Sequence, residues 1–145
     1  MQSATSWQGR GIKLTFESSD TAYVHLTGDI EEAAARDFVE RLVVWTADKP
    51  YIVLLLDVSE LRSYSAGARR VLASNGSRMP PRVFAHFGGT YATQVMLDLV
   101  LRGSASLGSK NRWASHLPDE AEARAWVNEM RPMLARHAEE LSKEK

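Results

Sequence analysis

The chain has 145 residues, of which 44% are apolar and 25% charged, the profile of a single globular domain that buries roughly two thirds of its unfolded surface. It contains no cysteine, which excludes disulfides, thiol nucleophiles and thiolate metal sites and fits a reducing, cytoplasmic setting. Eighteen Lys and Arg balance eighteen Asp and Glu, so there is no net charge to favour nucleic acid, and no apolar run is long enough to be a secretory signal or a membrane span.

The first ten residues, "MQSATSWQGR", are polar and without period, and are expected to be a flexible N-terminus. "GIKLTFES" alternates, with Ile12, Leu14 and Phe16 on one face, and "TAYVHLTGD" alternates again through Val24 and Leu26. The short polar link between them predicts an antiparallel hairpin. A helix follows from about Asp29, its expected N-cap, with Ala34, Phe38, Leu42 and Trp45 as the buried stripe. "YIVLLLDV" is continuously apolar, the pattern of a central strand covered on both faces. A second helix is expected over Ala66 to Asn75, capped by Ser65 and ended by Gly76 and the prolines beyond it. "RVFAHFGG" reads as a strand, "TYATQVMLDLVLRGSASLG" as a third helix capped by Thr90, and "NRWASHLP" as a short last strand. The last helix opens at Asp119 and Glu120, and Pro132 is expected to end or kink it. Residues 132–145 then read as a charged helical tail, leaving 11–131 as the domain. The order β-β-α-β-α-β-α-β-α predicts an α/β fold: a mixed sheet of about five strands flanked by about four helices.

Chemistry-bearing residues are sparse. Asp57 ends the apolar strand, at the position where open α/β sheets often place functional groups, although a carboxylate there also serves to brace a turn. Ser59, Ser63 and Ser65 follow it, and no base stands in an evident place to activate them. Gly88 and Gly89 join a strand to a helix, but the third glycine of a dinucleotide fingerprint and the lysine of a P-loop are absent. His25, His86, His116 and His137 have no partner at metal-binding spacing, and His25 and His86, out of phase with the apolar faces of their strands, read as surface or half-buried residues. No catalytic set, metal site or cofactor is expected. The third helix carries Val95, Met96, Leu97, Leu99, Val100 and Leu101 almost all round. Either it is buried on two sides, or it exposes an apolar face to a partner, a ligand or a second copy in a homodimer. In the ligand case a cavity is expected beside Met96 and Val100.

Three features in this order, "IVLLLDVSEL" into "SAGARRVL", "RVFAHFGG" into an apolar helix, and the ending "DEAEARAWV", resemble a STAS domain of the SpoIIAA-like (STAS/SEC14-like) branch over about Gly11 to Arg131. The resemblance implies protein–protein signalling in bacteria, as in antagonists of anti-sigma factors, and in some relatives the binding of small ligands or lipids. In the phosphorylated members the second helix starts on a motif of aspartate, serine, serine or threonine, glycine and leucine. Laid on it without gaps, Ser65 takes the aspartate position, Ala66 the first serine, Gly67 the acceptor and Ala68 the glycine. The acceptor hydroxyl is therefore missing. The expected function is a non-enzymatic interaction module without the serine phosphoswitch. Asp57, Ser59, Ser63, Ser65 and Gly67 form its candidate contact surface, and Val95, Met96, Leu99 and Val100 the candidate ligand or dimer helix. The alternative is a binder or sensor of a small apolar ligand or lipid using the third helix.

Overall fold

A computed structural model describes residues 6–106 and 111–144. Its single mixed sheet runs in chain order, β1-β2-β3-β4-β5-β6. The strands are β1 (Ser6–Gly9), β2 (Ile12–Phe16), β3 (Thr21–Ile30), β4 (Ile52–Tyr64), β5 (Arg82–Phe87) and β6 (Arg112–Leu117). The first three pair antiparallel and the rest parallel. The helices are α1 (Glu32–Thr46), α2 (Ala66–Ser74), α3 (Tyr91–Ser106) and α4 (Glu120–Lys143), with a 3-10 turn at Gly76–Arg78.

The apolar run of β4 splits between two cores, as a strand covered on both faces must. Ile52, Leu54 and Leu56 join the core beneath α1, α2 and α3, while Val53 and Leu55 join the core beneath α4. The same cover on both faces corrects the reading of His86. It alternates out of phase with Val83, Ala85 and Phe87, but its own side is packed too, and it is 6% exposed.

Two expectations about the chain ends change. Residues 6–9 are an edge strand rather than a flexible lead, joined to β2 through Gly11 at φ +78°. A side chain at Gly11 would meet the Thr27 carbonyl oxygen at 2.6 Å, so the turn requires glycine. Residues 1–5 lie outside the described residues. At the other end α4 runs through Pro132 to Lys143. Leu134 and Ala138 beyond the proline are buried, and the His137 ring packs edge-on to Trp113 at 5.1 Å. Packing against the sheet thus outweighs the lost backbone bond, and this stretch is not simply a solvated tail.

The stretch after Asp57 also differs from expectation. It is not a turn but the second half of a thirteen-residue strand. Only Ile52 to Asp57 pairs with β5; the remainder pairs with β3 alone. Two register shifts, opposite His25/Thr27 and Gly28/Asp29, add residues to β4. Its buried residues there are Val58, Leu61 and Tyr64, three apart instead of two.

Candidate functional site

Polar side chains from the middle of β3 and of β4 gather beside the N-terminus of α4. Parallel register sets His25 opposite Asp57. The His25 Nδ1 lies 3.1 Å from Asp57 Oδ2 and its Nε2 lies 2.8 Å from Glu60 Oε1. The other oxygen of Asp57 accepts from the Ser59 hydroxyl at 2.6 Å and from the Ser59 amide at 3.0 Å. Burial opposes the charge on Asp57, but the Ser59 hydroxyl and amide and His25 outweigh it and hold the carboxyl below its ordinary range. The Tyr23 hydroxyl reaches toward Asp57 and Glu120 at 3.4 Å each. Burial, then the charges of those two carboxylates, push it up to about 12. Gly88, at φ +86°, brings the β5–α3 turn against this cluster: a side chain there would meet Ser59 Cβ at 3.0 Å.

The arrangement is not that of a nucleophile. Ser59 donates to a carboxylate, and the histidine faces two carboxylates rather than a hydroxyl, so no histidine stands on the serine hydroxyl as in a serine–histidine pair. Among the described residues no group of three or more His, Asp or Glu is placed to hold a metal ion.

Further along β4, the Ser63 hydroxyl donates to Asp29 Oδ1 at 2.7 Å. Asp29 is thereby a strand residue bonded to β4 and not the cap of α1, whose N-cap is Glu31 with no side-chain bond. Ser65 does cap α2, its Oγ accepting from the Ala68 amide at 3.0 Å. Gly67 lies in the first turn of α2, against α1. A side chain at 67 would overlap Glu32, with Glu32 Cβ at 2.9 Å and its carboxylate closer still. The five residues of the candidate contact surface therefore fall in two groups along one path. Asp57 and Ser59 belong to the His25 cluster, and Ser63, Ser65 and Gly67 lie where β4 runs into α2. Sequence reasoning missed His25, Glu60 and Tyr23, because their role depends on the β3–β4 register, which no local pattern carries.

α3 divides its apolar residues between inside and outside. Leu97 is buried, Met96 and Val100 pack on the core, and Met96 sulfur accepts from the Tyr64 amide at 3.2 Å. Tyr91, Val95 and Leu99, at helical spacing, are exposed. Beneath α3 lies a cavity of about 80 Å³, lined by Leu97, Val100 and Leu101 but not by Met96.

No protein-family model and no curated protein matches the sequence. Solved structures do. The anti-sigma factor antagonist SpoIIAA in its unphosphorylated form superposes with a TM-score of 0.56 at 9% identity, over 81% of this chain and 97% of that one. The Bacillus cell fate determinant SpoIIAA in its phosphorylated form gives 0.54 at 13% identity, over 80% and 98%. The chain has the SpoIIAA (STAS) fold. Among the described residues no helix is long and apolar enough to cross a membrane.

Proposed function

We propose that this chain is a cytoplasmic regulatory module that acts by docking a protein partner, in the manner of an anti-sigma-factor antagonist, without catalysis and without a phosphorylatable serine at the start of α2. The fold supports the class of role. The observation that carries the finer reading is Gly67: the acceptor position of the resembling motif has no hydroxyl, and Glu32 fills the space a side chain would need. The neighbouring hydroxyls are committed to structure, Ser59 to Asp57, Ser63 to Asp29 and Ser65 to the helix cap. The half of β4 beyond Asp57 projects past β5 and presents exposed Ser59, Glu60 and Arg62 beside the α2 N-terminus, a surface suited to a protein partner. Protein purified from its native host is expected to carry no phosphate on any peptide covering residues 59–67 while still co-purifying with a partner. A phosphoserine at 59, 63 or 65 that abolishes partner binding would overturn the reading.

A further inference from the structure

The cavity under α3 is apolar along most of its wall, through Ile30, Phe38, Leu54, Leu97 and Val100, yet Arg82 lines it too. Arg82 is 2% exposed. Its Nη1 donates to the Pro80 carbonyl at 3.0 Å, while its Nε is buried without any hydrogen-bond partner. The guanidinium lies 5.7 Å from the centre of the Phe84 ring. Arg112 of β6 stands opposite it in register and lines the same cavity, donating through Nη2 to the Leu101 carbonyl. No carboxylate lines the cavity among the described residues.

Such an arrangement costs the fold. A buried cation is stable when paired, and a buried N–H without an acceptor forfeits its hydration. Burial and the neighbouring positive charge of Arg112 pull Arg82 down to about 10, the direction expected of a cation lacking a counter-charge. An anion at the Nε edge would satisfy the orphaned donor and the charge together. The planar fork of guanidinium matches the two oxygens of a carboxylate. Apart from Arg112, His86 and Tyr64, the rest of the lining is apolar. A cavity of about 80 Å³ suits a short aliphatic tail rather than a long chain.

We propose that this cavity binds a small carboxylate with a short branched aliphatic tail, its head on Arg82 and its tail against Leu97 and Val100. The site lies on the opposite face of the sheet from the His25 cluster and stands independently of the partner-docking reading.

The test is titration of the full chain with 3-methylbutanoate and, separately, with its neutral analogue 3-methylbutanamide, followed by methyl NMR. The acid is expected to shift the Leu97, Val100 and Leu101 methyls and to bind at least about tenfold more tightly than the amide, in keeping with a charge-assisted pair. Arg82→Met is expected to abolish the preference. Val100→Phe, which fills the tail space and leaves Arg82 intact, is expected to abolish binding of both. Equal binding of acid and amide, shifts remote from α3, or no shift with either would overturn the proposal, and the wild-type comparison decides it even if a variant fails to fold.

Discussion

Replacing Gly67 with alanine tests whether the acceptor position is packed shut. In an ordinary helix the change is favourable, since alanine exceeds glycine by about 1 kcal/mol in helix interiors. Here the new methyl would lie 2.9 Å from Glu32 Cβ and 3.0 Å from its Cδ. The carboxylate end can swing away, because Glu32 is half exposed and its pairing with Arg36 lies on the surface. Its Cβ is fixed to α1 and can recede only if the two helices part. Overpacking of that kind costs roughly 1–3 kcal/mol. The net expectation is a loss of about 1 kcal/mol, a fall of roughly 2–4 °C for a domain near this size. Urea denaturation with an unchanged m-value would read it directly. In a Glu32→Gly background the obstruction is gone, and the same Gly67→Ala change should become stabilising, a coupling of the sort contacting residues show. A stabilised single variant, or additivity with Glu32→Gly, would refute the packing. Serine at 67 carries the same obstruction, so one substitution does not restore a hydroxyl acceptor without moving Glu32.

Leu134→Ala should cost about 2–5 kcal/mol, as for other fully buried leucines, measured by the urea midpoint; a change near zero would return residues 132–145 to a solvated tail. Pro132→Ala should raise the melting temperature, since a proline inside a helix forfeits a backbone bond. Acid should weaken the fold in a predictable window. Hydrogen bonding to Arg124 lowers Glu17 from 4.5 despite some burial; Asp20 and Asp57, in spite of burial, are held below 3.8 by Thr21 and Arg131 and by Ser59 and His25. Carboxyls lowered on folding add stability that is complete above their ordinary values and is lost as the pH falls through the folded ones. The urea midpoint should therefore hold steady from neutrality and drop below about pH 4.5, with a shallower drop in Arg124→Met.

The fold was largely legible because its strands announce themselves by period. Ile12, Leu14 and Phe16 alternate, and Ile52 to Leu56 run apolar without a break. The failures share one physical cause: partners distant in sequence altered the local rule. β1 offers one apolar residue, Trp7, whose place is fixed by packing and by the Arg41 guanidinium 5.6 Å from its ring. The second half of β4 was hidden by bulges that space Val58, Leu61 and Tyr64 by three. Asp29 has the chemistry of a cap but is claimed by Ser63 across the sheet. The Ser65 cap, by contrast, is a local interaction and was readable. The His25–Asp57–Glu60 cluster needed the register of two strands, and the Arg82 cavity needed three helices in place.

Site-specific photo-crosslinking in the native host addresses partner docking at this surface most directly. A photoreactive residue at exposed Ala66, beside Gly67, or at exposed Ser59 is expected to capture a protein partner, whereas one at exposed Arg136 on α4 is not. Capture confined to Arg136, or equal at all three positions, would contradict a docking surface built from β4 and the start of α2.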